Sequence, residues 1–127
     1  MPNQFKQHYT REEARALLPQ IRQWFEHLSD LRQKLSECDQ RLARLLAAGN
    51  DVGGETVNRR VRVAAGVKAT LTEFQRREIQ IKDLDRGLID FPAILDGKEV
   101  FLCWEQDEED IEFWHDLHSG YAGRERL

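Results

Sequence analysis

The sequence predicts an α+β protein in which a long antiparallel helical hairpin, coiled-coil-like in its spacing, precedes a small antiparallel β-meander of three or four strands. The first observation is a run of apolar residues at alternating steps of four and three, the heptad spacing of coiled coils. The second is Asp96-Gly97 between two apolar-rich segments, the strongest short signal of a β-hairpin. We expect a single domain over residues 1–127, with a long helix at 10–48, a second helix at 56–78, the meander at 79–117 and an irregular tail at 118–127.

The first helix is predicted to begin at a capping box, in which the side chains of Thr10 and Glu13 each accept the backbone amide of the other residue. Pro19 lies inside the helical pattern, where it removes one backbone hydrogen bond and favours a kink. We expect the helix to stop at Gly49-Asn50, before a turn-rich segment at 51–54. The apolar positions of the heptad pattern are Leu17, Ile21, Trp24, Leu28, Leu31, Leu35, Cys38, Leu42 and Leu45.

The second segment is predicted to be a shorter helix, because its valines do not keep the strict alternation of a strand. At 1.5 Å per residue the first helix spans ~57 Å and the second only ~35 Å. An antiparallel partner therefore ends near Trp24, and the apolar stripe from Leu17 to Phe25 needs cover from the sheet, from a second subunit, or from both. Of these options we favour a homodimer formed through the helices.

Register in the meander follows from the two-residue turn at Asp96-Gly97. The turn pairs Leu95 with Lys98, which places one apolar set on the core face: Ile89, Phe91, Ala93, Val100, Leu102 and Trp104. The opposite, outer face then carries Asp90 across from Cys103 and Pro92 across from Phe101. A four-residue second turn would pair Trp104 with Ile111, so that Phe113 and His115 join the core face and Trp114 the outer one.

Composition excludes several classes of protein. The chain has 40% hydrophobic and 33% charged residues with a net charge of −4, which disfavours a dedicated nucleic-acid binder. No apolar run approaches the ~18–20 residues that span a bilayer. Cys38 and Cys103 are too few for a disulfide scaffold, and the first residues lack the regions of a signal peptide. We therefore expect a cytoplasmic protein without a nucleic-acid or membrane partner.

The C-terminal half resembles an uncharacterised family, the domain of unknown function 2203. The resemblance lies in Ile81-Lys82-Asp83, Gly87 to Ala93, Asp96-Gly97, Val100, Leu102-Cys103-Trp104, Glu108, Ile111, Trp114-His115 and Gly120 to Arg124. Phe5, Tyr9-Thr10 and Glu12 to Pro19 are similar to its amino-terminal signature. Within Gln106-Asp107-Glu108 the chain departs from relatives, which more often carry a glycine before the glutamate. The resemblance implies kinship and no particular activity.

Four side chains in the meander have the chemistry to bind a transition metal such as zinc. Cys103, His115 and Glu108 are the predicted metal ligands, and Asp90 lies across from Cys103. The expected register places Cys103 and His115 on opposite faces, so a shared ion requires that register to slip by one residue. The competing interpretation makes Cys103 a small, half-buried apolar residue and His115 a hydrogen-bonded structural group.

A small-ligand site is the related hypothesis, with Asp90, Trp104, Trp114 and Arg124 as its candidate residues. Arg124 could bind a carboxylate or phosphate bidentately, or it could equally pin the tail to an acidic strand residue. No catalytic residue is assigned, because Asp90 opposite Cys103 would raise the pKa of the thiol and disfavour a reactive thiolate. The alternative function is a non-catalytic coiled-coil module for interaction or dimerisation, in which the helices are the working part.

Overall fold

The computed structural model describes residues 2–50 and 54–127, and it has two helices followed by an antiparallel sheet of five strands. The α+β class is therefore confirmed, while the strand count of three or four is wrong. The strands lie in the order β1-β2-β3-β4-β5. The elements are α1 (Arg11–Ala47), α2 (Glu55–Arg76), β1 (Gln80–Asp83), β2 (Leu88–Leu95), β3 (Lys98–Glu105), β4 (Phe113–Asp116), a 3-10 turn (Tyr121–Gly123) and β5 (Glu125–Arg126).

The predicted capping box opens α1. The Thr10 amide donates to the Glu13 carboxylate at 2.9 Å, and the Glu13 amide donates to the Thr10 hydroxyl at 3.1 Å. The helix contains Pro19 and continues to Ala47, just before the predicted stop at Gly49, which has a φ of 76°. Most of the turn predicted after this stop, residues 51–53, lies outside the described residues.

The chain divides into two compact units, Met1–Arg22 with Glu73–Leu127, and Gln23–Thr72. Within the second unit, three contacts join late residues of α1 to early or middle residues of α2. Asp39 pairs with Arg60, Arg41 donates to the Thr56 hydroxyl at 3.2 Å, and a Cβ on Gly66 would lie 3.3 Å from Leu31. The helical character predicted for α2 is confirmed. The antiparallel hairpin, its coiled-coil packing and the single-domain organisation stay predictions.

In the first unit, β2 and β3 pair in the predicted register, from Leu88↔Glu105 to Leu95↔Lys98. All six predicted core-face residues are buried. The expectation of an outer face is wrong, however, because the side chains of Asp90 and Cys103 on that face are buried as well. Part of the cover comes from Phe5, whose ring packs edge-on against Phe101 with the centroids 5.4 Å apart. Both faces of the central strands are therefore interior.

Phe5 belongs to a segment that precedes α1. We call this segment, residues 4–8, the N-terminal strap. The Glu99 carboxylate accepts the amides of Gln4 and Phe5 at 2.7 and 3.0 Å and lies 2.7 Å from His8 Nε2. Glu78 accepts the next two strap amides, at 2.9 and 2.7 Å. Two carboxylates thus replace a neighbouring strand as hydrogen-bond acceptors for the strap.

The predicted register between β3 and β4 is wrong by one residue. Phe101 lies opposite His115 and Leu102 opposite Trp114, whereas a four-residue turn would have paired Leu102 with Phe113. The connection is longer because Glu108 closes a turn of its own. Its amide donates to the Glu105 carbonyl at 2.8 Å, and its carboxylate accepts the Glu105 amide at 2.9 Å. Because side chains alternate along a strand, one residue of slip moves every side chain of β4 to the other face.

Part of the tail at 118–127 has regular secondary structure, contrary to the predicted irregular chain. It contains the 3-10 turn and β5, which pairs with β4 through Phe113↔Arg126 and Trp114↔Glu125. The Leu127 amide adds a hydrogen bond of 2.8 Å to the Glu112 carbonyl. The end of the tail therefore forms the fifth strand of the sheet, beside the strand that carries His115.

Candidate metal centre

Three neighbouring strands each contribute one metal-binding type of side chain to the same face of the sheet. Asp90 on β2, Cys103 on β3 and His115 on β4 are 1%, 1% and 2% exposed, and one ligand atom from each lies within 4.8 Å of the others. Asp90 and Cys103 are direct cross-strand partners. His115 lies on the same face because the observed register of β4 differs by one residue from the predicted one. We call these three residues the buried triad.

Both ring nitrogens of His115 have partners. Nε2 lies 3.0 Å from Asp90 Oδ1, and Nδ1 lies 2.6 Å from the carbonyl oxygen of Asp116. Burial alone would lower the pKa of His115, but hydrogen bonds to Asp90, to Cys103 and to the Asp116 carbonyl outweigh it and raise the pKa from 6.5 to about 10. Without a bound cation, His115 is therefore an imidazolium at neutral pH.

The second oxygen of Asp90 is the exception in this network. Asp90 Oδ2 is buried and has no hydrogen-bond partner among the residues that the structure describes. Buried carboxylate oxygens are nearly always hydrogen-bonded or bound to an ion, since leaving one unsatisfied costs about 1–3 kcal/mol or more. This oxygen therefore calls for a donor or a cation in the triad.

Arg124 of the tail lies beside the triad. Its Nη2 lies 2.8 Å from Glu108 Oε2 and 3.2 Å from the Tyr121 hydroxyl. The guanidinium stacks on the Phe113 ring at 3.9 Å and also interacts with the Cys103 side chain. Burial lowers the pKa of Arg124, but Glu108 and Cys103 outweigh it, so the net pKa is raised and the charge is retained. Arg124 thus joins the tail to Glu108, which lies in the connection between β3 and β4 and not on a strand.

The structure places the other predicted site residues apart from the triad. Glu108, predicted as a metal ligand, uses its carboxylate for the Glu105 amide and for Arg124. Trp104 and Trp114 lie on the opposite face of the sheet, level with Ile89 and Leu102 respectively. Trp104 is buried there and donates to the Glu108 carbonyl at 2.9 Å. Roles for Glu108 as a metal ligand and for the two tryptophans as ligand-binding residues stay predictions.

Sequence reasoning missed the strap and its acceptor Glu99. No periodic pattern marks residues 4–8, and Glu99 follows the hairpin turn as an ordinary polar strand residue. Its carboxylate can be recognised only once Phe5 and His8 are placed beside it. The strap matters to the site because Phe5 packs on Phe101, whose ring centroid lies 5.5 Å from that of His115.

A family model described as "Uncharacterized conserved protein (DUF2203)" matches residues 7–127. The chain belongs to this family. The resemblance inferred from the sequence is thereby confirmed over essentially the whole chain. No curated protein and no solved structure matches it.

Every residue of the buried triad, together with Glu108 and Arg124, lies inside the stretch matched by the DUF2203 model. The part of this DUF2203 protein that the structure describes contains no helix long and apolar enough to cross a membrane. The triad is also the only group of three or more metal-ligating side chains among the described residues.

Proposed function

We propose that this DUF2203 protein binds one divalent transition metal ion, with zinc the best fit, through Asp90, Cys103 and His115. The observation that carries the proposal is the convergence of three different donor atoms within 4.8 Å in a fully buried triad. Thiolate, imidazole and carboxylate are all zinc ligands, and the mixture of soft and hard donors suits zinc better than magnesium or calcium.

The orientation of His115 supports the same proposal. Metal-bound histidines usually donate their second ring N–H to a carbonyl or carboxylate, which fixes the tautomer and the ring position. The Asp116 carbonyl, 2.6 Å from Nδ1, provides this acceptor and leaves Nε2 directed at Asp90. Zinc bonds of about 2.0–2.3 Å place neighbouring ligand atoms roughly 3.3–3.6 Å apart in a tetrahedron. The separation of 3.0 Å between Nε2 and Asp90 Oδ1 requires only a small opening of that pair.

Charge balance is compatible with metal binding at such a depth. Zinc requires a neutral imidazole and a thiolate, so binding displaces one proton from His115 and one from Cys103. The two charges of the metal ion then replace those of the two released protons, so the net charge of the buried triad does not change. The orphaned Asp90 Oδ2 gains a cation as its neighbour.

Metal analysis of protein purified without a histidine tag tests the proposal. We expect about one zinc per chain, or saturable uptake of zinc and cobalt(II) by the metal-free protein. Cys103→Ser and His115→Gln should each weaken this uptake by tenfold or more, as should Asp90→Asn. The matched control is Cys38→Ser, since Cys38 is the other buried cysteine and lies on α1. Wild-type protein that takes up no metal, or uptake that survives loss of both Cys103 and His115, would overturn the proposal.

A second candidate function is a helical interaction module. We propose that α1 and α2 form an antiparallel coiled-coil hairpin through which two copies associate in a cytoplasmic protein without a nucleic-acid partner. The contacts of Arg60 with Asp39 and of Gly66 with Leu31 support the hairpin, and Leu46 and Val61, 63% and 61% exposed, are apolar surface for a partner.

Burial within the single chain reduces the need for a second subunit over residues 17–25. Leu18, Ile21 and Phe25, within the stripe thought to need a second subunit, are buried in the single chain. Sedimentation at micromolar concentration tests the dimer, which predicts twice the chain mass of 14.9 kDa. A monomer at that concentration would remove the dimer and leave the metal proposal untouched.

A further inference from the structure

Two buried polar side-chain atoms have no hydrogen-bond partner among the described residues. One is Asp90 Oδ2, which the proposed metal accounts for. The other is Arg124 Nη1, which carries N–H donors on a cationic group. A buried guanidinium nitrogen without an acceptor is uncommon, because the lost hydrogen bonds to water are not replaced. This nitrogen therefore has unused hydrogen-bonding capacity within the described part of the chain.

The guanidinium is held in place by its other contacts. Nη2 is fixed by Glu108 at 2.8 Å and by the Tyr121 hydroxyl at 3.2 Å, while the plane stacks on Phe113 at 3.9 Å and on the Tyr121 ring at 4.2 Å. The same group interacts with Cys103, one of the triad. Arg124 thus presents a fixed, unsatisfied donor at the edge of the proposed metal site.

We propose that Arg124 Nη1 and the metal together bind one small oxyanion, such as a monocarboxylate. This inference rests on the proposed metal binding. Three protein ligands leave a fourth position of a tetrahedral zinc open, and exogenous ligands bind there in catalytic zinc sites. One oxygen of the anion occupies that position, and the second accepts a charge-assisted hydrogen bond from Arg124 Nη1.

The surroundings restrict the size of the anion. The triad side chains are only 1–2% exposed, so we restrict the anion to a compact group. The contacts of Arg124 continue to Tyr121, which is 37% exposed, and we infer that an anion enters from this side. Acetate, a small carboxylate, is therefore the probe.

Cobalt(II)-loaded protein provides the experiment, because the visible absorption of cobalt reports changes in its ligands. We expect acetate to change the spectrum saturably and acetamide, the uncharged molecule of the same shape, to leave it unchanged. Arg124→Gln should weaken the response to acetate about tenfold or more, since one charge-assisted hydrogen bond is lost. Arg126→Gln is the matched control, because Arg126 stacks on the same Phe113 ring at 5.1 Å from an exposed position.

The outcomes separate the two proposals. Protein that binds no cobalt refutes the metal site and this inference with it. Protein that binds cobalt but shows no response to acetate retains the metal site and refutes the anion. A response to acetate that is equally strong in the Arg124→Gln variant, with cobalt affinity unchanged, also refutes the assignment of Arg124. Cobalt affinity measured in each variant shows whether a weaker acetate response comes from the anion or from loss of the fold.

Discussion

The ion pair between Arg124 and Glu108 allows a direct test of how the tail is held. Its atoms lie 2.8 Å apart, and the two side chains are only 15% and 14% exposed. Lys98 and Asp116 form a pair of nearly equal length, 2.7 Å, in the same sheet, but those side chains are 66% and 49% exposed. The two pairs therefore differ in burial and in the stacking of Arg124 on Phe113, and neutralising each cation measures what these two differences contribute together.

Arg124→Gln should lower the free energy of unfolding by about 2–4 kcal/mol. The loss combines one charge-assisted hydrogen bond, about 1.5–3 kcal/mol, with the stacking on Phe113, about 0.5–1 kcal/mol. Lys98→Gln should cost no more than about 1 kcal/mol, because an exposed pair is screened by solvent. Urea unfolding at pH 7 in the presence of a chelator measures both values on metal-free protein.

The double variant Arg124→Gln with Glu108→Gln should lose little more than Arg124→Gln alone, because either substitution breaks the same pair. Equal losses from Arg124→Gln and Lys98→Gln, or strictly additive losses from Arg124 and Glu108, would show that this reasoning about burial is wrong.

Three further predictions concern the frame of the site. Gly87→Ala should lower the free energy of unfolding by about 2–3 kcal/mol, because Gly87 has a φ of 65° and a Cβ there would lie 2.7 Å from Gln106. Gly97→Ala should cost only about 1–2 kcal/mol, since Gly97 has a φ of 77° but open space around it. Urea unfolding compares the two variants. The pKa of Glu99 is lowered in the folded protein, because hydrogen bonds to the strap outweigh the effect of burial. Ionised Glu99 therefore stabilises the fold above about pH 4.3, and this stabilisation is lost as the pH falls through the lower folded pKa. The loss should be absent in Glu99→Gln when unfolding is followed against pH. Thr10→Ala should cost about 0.5–2 kcal/mol by thermal or urea unfolding, and no loss would argue against the cap.

Local rules were enough for the helix start and for the β2–β3 hairpin. The capping box needs only Thr10 and Glu13, three residues apart, and the register across Asp96-Gly97 follows from a two-residue turn. Both features depend only on residues close together in the sequence, so a short local sequence is enough to predict them.

The candidate site could be predicted in its residue types and not in its geometry. Asp90, Cys103 and His115 were identified from their chemistry, but the predicted register separated His115 from the other two. The turn closed by Glu108 has no two-residue signature, and its length depends on side-chain hydrogen bonds rather than on backbone preference. The strap was not predictable because its acceptors, Glu78 and Glu99, are distant in sequence.

The connection between β3 and β4 imposes a rule of parity on this chain. Because successive strand residues point to opposite faces, inserting or deleting one residue between Glu105 and Phe113 exchanges the faces of β4. His115 would then leave Asp90 and Cys103, and Trp114 would take its side of the sheet. A change of two residues preserves the faces and alters only the length of the loop. The site can therefore tolerate even changes in this connection and is lost with odd ones, which makes the length of a surface loop as decisive as the identity of any of the three buried side chains.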